Sequence, residues 1–257
     1  MFYPRDPHTL AETVNDLLTE APGVDLHPKL MIVPHAGYVY SGPTAARAYR
    51  CLDPGQVNRV VLLGPAHTMP LRGMALPAVT AFATPLGDVE LDMESISALA
   101  QHFDFVQIMN TAHVEEHSLE VQVPFIQVIL NSFKIIPLVV GETRPEQVSA
   151  VLEYLWGGPE TLILISSDLS HFLPYETANQ VDAQTSRAIE TLDSAALRED
   201  GACGYFGLRG LLRLARAKQL RVERLDLCNS GDTAGERGRV VGYGAWAFME
   251  TETNDES

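Results

Sequence analysis

Apolar residues in this chain fall into short unbroken runs, separated by longer stretches that repeat at helical spacing. The runs at 30–33, 59–63, 135–140, 161–165 and 240–248 read as strands, apolar on both faces as strands covered on two sides must be. Stretches near 43–51, 92–101, 117–131, 145–156, 175–192 and 204–218 read as helices. A further helix opens the chain, with Asp6 as its N-cap and Pro7 in its first turn. This alternation predicts an α/β fold: a three-layer α/β/α sandwich around a mostly parallel sheet. Segments 74–79 and 82–91 alternate more strictly, and Thr84-Pro85-Leu86-Gly87 between their strands predicts an edge hairpin. No repeat, linker or compositional break divides the chain, so one domain is expected over 1–250, followed by a frayed acidic tail at 251–257.

Charge narrows the function classes. The 257 residues carry 33 acidic against 18 basic side chains, a formal net charge of −15, which opposes attraction to phosphate backbones and anionic membranes. The densest basic stretch, from Arg209 to Lys218, reads as one helix face. The opening MFYPRDPHTL lacks the basic and apolar regions of a signal peptide, and apolar runs such as Leu162-Ile163-Leu164-Ile165 are too short for a membrane span. Three cysteines, Cys51, Cys203 and Cys228, are too few for a disulfide framework. The expectation is a soluble cytoplasmic protein with free thiols that binds neither nucleic acid nor membrane.

The chemistry gathers at strand ends, beyond which open α/β sheets bind their ligands. The first strand leads into Pro34-His35-Ala36-Gly37, the second into Gly64-Pro65-Ala66-His67, and the run at 161–165 into Ser166-Ser167-Asp168-Leu169-Ser170-His171. Taken singly, each histidine reads as a satisfied turn residue. As a set drawn from only 8 in the chain, they read as a metal site or an acid–base site.

In their order along the chain, these motifs resemble the Memo family. The resemblance rests on Phe2-Tyr3-Pro4 with Asp6-Pro7, Pro34-His35-Ala36-Gly37-Tyr38 with Tyr40-Ser41-Gly42, and Gly64-Pro65-x-His67. It continues through Glu116-His117-Ser118-x-Glu120, Ser166-Ser167-Asp168-x-x-His171 and Cys203-Gly204. It implies a fold similar to class III extradiol-type non-haem iron dioxygenases. It also implies a metal site at His35, His67 and Cys203, with Asp168 and His171 lining the same pocket and His117 reaching it. Two imidazoles and a thiolate leave open coordination positions, which suits Fe(II) first and copper or zinc otherwise. A cysteine in place of the carboxylate usual in oxygen-activating iron sites departs from the dioxygenase pattern. The site is expected to lower the Cys203 thiol pKa, aided by the helix that follows. Asp168 is expected to fix a ligand histidine, and His171 to move protons.

Three functions follow. The first is a metal-dependent oxidoreductase of a small molecule or protein residue. The second is a non-catalytic module that binds a peptide or partner protein, as the animal relatives in receptor-tyrosine-kinase-driven motility imply. The third is a partner of AMMECR-like and radical-SAM proteins, as the microbial relatives imply. Cys228 and Cys51 read as packing residues, and His102 and His113 as surface or linker residues. Tyr38 and Tyr40, one residue apart, are expected to place one phenol in the pocket and one in the core.

Overall fold

Asp6 caps the first helix, α1 (Pro7–Glu20), by accepting the Thr9 amide at 2.9 Å, and the helix buries Leu10 and Val14. The computed structural model describes residues 2–251, so the acidic tail expected at 251–257 lies, apart from Thr251, outside the described residues. After α1 come β1 (Leu30–Val33), α2 (Tyr38–Tyr49), β2 (Arg59–Pro65), β3 (Met74–Leu76), β4 (Ala81–Thr84) and β5 (Gly87–Glu90). Then follow α3 (Met93–His102), capped by Asp92, β6 (Val106–Ile108), α4 (His117–Glu120), α5 (Val123–Ile129), β7 (Lys134–Val140) and α6 (Pro145–Tyr154). The chain continues through β8 (Thr161–Ser166), β9 (His171–Leu173), α7 (Tyr175–Glu190), α8 (Tyr205–Ala217), β10 (Arg221–Asn229) and β11 (Val240–Met249).

One sheet runs in the order β10-β11-β1-β8-β2-β7-β3-β6, with β9 pairing β11, and helices cover both faces. Its centre, β1-β8-β2-β7, is wholly parallel and buried, as the unbroken apolar runs require. The register aligns Val33 with Ser166, and the parallel neighbours all end at the same edge. His35, Asp168 and His67 each stand two residues beyond the end of β1, β8 and β2. That shared offset turns three separated motifs into one cluster.

Several local expectations change. The hairpin forms within β4–β5 alone and lies off the main sheet, whereas β3 joins that sheet between β7 and β6. The helix expected over 117–131 is two helices, because Pro124 sits in the first turn of α5 and restarts the ladder. β10 escaped the apolar pattern because it is an edge strand whose side chains are largely polar and half-exposed. No helix among the described residues is long and apolar enough to cross a membrane.

Candidate metal centre

One ring nitrogen from each of His35, His67 and His117 lies within 4.8 Å of the other two, an arrangement that can hold a metal ion. The rings face one another edge-on or stacked, with centroids 4.8–5.5 Å apart. Whether such a cluster fits a cation depends on which ring nitrogens are left to face it, and hydrogen-bond partners show that for two rings.

His35 is buried, with Nδ1 2.9 Å from Ser166 Oγ. The single Ser166 hydroxyl proton is donated to the Ser118 carbonyl, and Gln122 Nε2 donates to the same Oγ at 2.8 Å. Gln122 is itself oriented by Tyr49, whose hydroxyl donates to Oε1 at 2.8 Å, and by Nε2 donating to Pro34 O at 2.9 Å. Ser166 therefore accepts from His35, Nδ1 carries the proton, and Nε2 offers a bare lone pair. His67 Nδ1 lies 2.9 Å from Glu116 Oε1, while its backbone amide donates to Oε2 at 2.6 Å. An ionised carboxylate only accepts, so Nδ1 donates to it and Nε2 is the ring nitrogen left to face a ligand. Imidazoles whose second nitrogen is held this way are the common form of metal-ligating histidine.

His117 opens α4. Its ring is stacked between Phe2, at 4.3 Å and 8°, and His67, at 4.8 Å and 16°. Glu116 caps this helix by accepting the Ser118 amide at 2.9 Å, so one carboxylate anchors both His67 and the segment bearing His117. Cys203 Sγ stands 3.4 Å from His35 Nε2 and accepts the Asp168 amide at 3.2 Å. The set within mutual reach is thus the three imidazoles, and the sulfur meets it at His35.

The family profile described as Memo-like protein matches residues 1–247. The chain belongs to the Memo family. Among similar proteins is a MEMO1 family protein of Archaeoglobus fulgidus, 34% identical over 96% of each chain. Another, from Aquifex aeolicus, is also 34% identical over 96% of each. One from Metallosphaera sedula is 33% identical over 86% of this chain and 83% of its own. A crystal structure of the uncharacterized protein JW3007 from Escherichia coli K12 has a TM-score of 0.52 at 12% identity, covering 85% of this chain and 98% of that one. That likeness shows the shared fold alone.

Two imidazoles of this Memo-family chain, His35 and His117, are held toward the neutral form. Burial pushes the His35 pKa down to about 4, against the opposing pull of the Asp168 charge. Burial, then the neighbouring His67, lowers His117. Burial would raise Glu116, but hydrogen bonds from the His67 ring and amide and from the Ser118 amide outweigh it, bringing the carboxyl down to about 2. The cluster therefore combines nitrogen donors, two of them held toward the neutral form, with the Glu116 anion behind them, a field that favours a cation at the front.

The remaining expected site residues are placed as follows. Asp168 accepts the His35 backbone amide at 2.7 Å rather than a ring N–H, and its other oxygen lies 4.0 Å from Nε2. It fixes the His35 loop, whereas the ring proton goes to Ser166. His171 stands on β9 with Nδ1 2.9 Å from Leu169 O and its ring against Phe172. The Cys203 thiol is raised, first by burial and then by Asp168, so the start of α8 does not make it a thiolate. A cation bound beside the sulfur would favour the thiolate. Tyr38 enters the core and donates to Val121 O at 2.7 Å, while Tyr40 is exposed. Cys228 Sγ meets Thr44 Oγ1 at 3.1 Å, and buried Cys51 bonds the Arg47 carbonyl. His113 is half-buried, not a surface residue, and its Nε2 meets Ala75 O at 3.1 Å.

Glu116, Ser166, Gln122 and Phe2 were not singled out as site residues from the sequence. Glu116 had a usable signal, an acid directly before a candidate histidine in Glu116-His117-Ser118. Gln122 gave none, since it sits within what reads as a continuous helix.

Proposed function

We propose that this chain is a metal-dependent oxidoreductase whose ion is Fe(II), with copper and zinc as the other ions the donor set accommodates. The support is the hydrogen bonding of His35 and His67, whose Nδ1 atoms are each committed to a partner, within a cluster where one ring nitrogen from each of three histidines falls within 4.8 Å of the others. His117 supplies a third nitrogen, and Cys203 a sulfur that becomes thiolate once a cation offsets the burial that holds its proton. Bound there, such an ion supplies redox or Lewis-acid chemistry.

The protein's own groups have distinct parts. Glu116 orients His67, and Ser166 with Gln122 orients His35. Asp168 holds the His35 loop and adds negative charge. His171 has Nδ1 committed to a carbonyl, which leaves Nε2 as the atom that exchanges a proton with a substrate.

The test is metal content after anaerobic purification. About one equivalent of iron is expected in the wild-type chain, with none in the His35→Ala, His67→Ala double variant. Full retention by that variant overturns the reading. Single Cys203→Ser and His117→Ala variants then separate the sulfur from the third imidazole.

A further inference from the structure

A cavity of about 580 Å³ opens on the α8 side of the sheet, at the ends of β2, β7 and β8. Its volume is within the range of small-molecule pockets. Leu63, Met69, Leu71, Val140, Ile165 and Phe206 make its walls apolar. Its only charged lining residues, Arg72 and Glu142, face each other at 3.6 Å and are well exposed. Ser166 and Cys203 also line it, and they meet the His35 ring at Nδ1 and Nε2 respectively. The cavity and the histidine cluster therefore share a wall.

Two features of α8 point to an occupant. Gly207, in its first turn, lines the cavity, and a Cβ built there meets only Ile165 Cγ2 at 3.8 Å, an ordinary contact. Neighbouring glycines differ: a Cβ on Gly204 would meet Ser167 at 2.7 Å, and one on Gly210 would meet Val148 at 2.2 Å. Neither backbone nor packing requires glycine at 207, and glycine in a helix is destabilising relative to alanine. What its missing side chain leaves is open cavity. Beside it, the N-cap Gly204 provides no side-chain acceptor, no acid stands in the first turn, and the Phe206 and Gly207 amides have no acceptor among the described residues. Unpaired amides at the positive end of a helix bind anionic oxygens.

We infer that this cavity binds a small organic acid with an apolar body, its carboxylate on the α8 amides and its hydrocarbon against the Leu63–Phe206 wall. Calling that molecule the substrate rests on the metal-site reading above, because it is Cys203 that joins the two spaces. The binding itself does not need the ion.

The experiment is calorimetric titration with 3-phenylpropanoate and, as the uncharged counterpart, 3-phenylpropan-1-ol. The acid is expected to bind about tenfold or more tightly than the alcohol. Gly207→Ile, which fills the space, is expected to weaken the acid by a similar factor. The His35→Ala, His67→Ala variant is expected to bind the acid as the wild type does, so loss of metal and loss of this site are read separately. If Gly207→Ile does not give a native circular-dichroism spectrum, Met69→Trp fills the cavity from its loop side. Equal affinity for acid and alcohol, no binding of the acid, or acid binding unchanged in the folded filling variant overturns the inference.

Discussion

Glu116 holds His67 at two points, accepting its ring proton at 2.9 Å and its backbone amide at 2.6 Å. This two-point grip fixes both tautomer and rotation, leaving Nε2 as the ring's one free atom. Glu116→Gln replaces one acceptor oxygen with an amino group that must face a donor, either the ring N–H or the amide. Metal affinity is expected to fall about 10–100-fold, as for other carboxylates behind ligand histidines. Competition against a chromogenic chelator measures it, and an unchanged dissociation constant would remove Glu116 from this role.

The buried Ser166 hydroxyl serves three partners: His35, Gln122 and the Ser118 carbonyl. Ser166→Ala leaves all three short of a bond, and an unsatisfied buried polar group costs about 1–3 kcal/mol. The urea midpoint is expected to drop accordingly with an unchanged slope, since no extra surface is exposed. A midpoint equal to the wild type's would mean that the network does not hold the histidine.

The parallel centre of the sheet was legible because burial on both faces leaves a sequence mark: residues 162–165 are apolar without alternation and form the middle of β8. His35 and His67 were legible for a related reason, since strand ends are where parallel sheets gather side chains. What sequence could not give was the pairing of donors with acceptors. Gln122 orients the site from a helix whose local pattern records only its own periodicity, and Asp168 exchanges the expected ring contact for a backbone one. Cys203 gives a different lesson. The expected lowering of its thiol pKa rested on a bound cation, aided by the helix start. The helix start alone does not supply it, because desolvation and a nearby carboxylate act the other way, and both depend on tertiary neighbours.

His35 and His113 both have pKa values pushed down to about 4, chiefly by burial, from an ordinary value near 6.5. In the unfolded chain they take up protons near the ordinary value, whereas the folded protein resists until about pH 4. Between those values the unfolded state binds more protons, so stability is full above about pH 6.5 and falls as the pH drops toward 4. Glu116, brought from 4.5 to about 2, extends the loss below pH 4.5. Urea midpoints measured downward from neutral pH are expected to decline through this window. His113→Gln is expected to make that decline shallower by about one proton's worth. A flat profile between pH 6.5 and 4 would contradict the buried neutral state of both rings.

Gly64 sets how closely α4 approaches the sheet, and so where His117 stands. A Cβ at this position would lie 2.5 Å from Ser118 Oγ and 2.9 Å from Leu119 Cδ2. The leucine tip can rotate, but the serine hydroxyl is tied to the Pro65 carbonyl at 3.1 Å, so the helix itself must yield. Gly64→Ala is therefore expected to cost about 1–3 kcal/mol, as overpacking does, and to weaken metal binding by carrying Glu116 and His117 outward together. Ser118→Gly on its own is expected to destabilise through the lost hydrogen bond and the added chain freedom. In the Gly64→Ala, Ser118→Gly double variant the clash is gone, so the two losses combine to less than their sum. A double-mutant cycle in urea unfolding, read beside chelator competition, checks this. Strict additivity in both measurements would show that α4 does not rest on Gly64 through Ser118, and that its register over the sheet is set by other contacts.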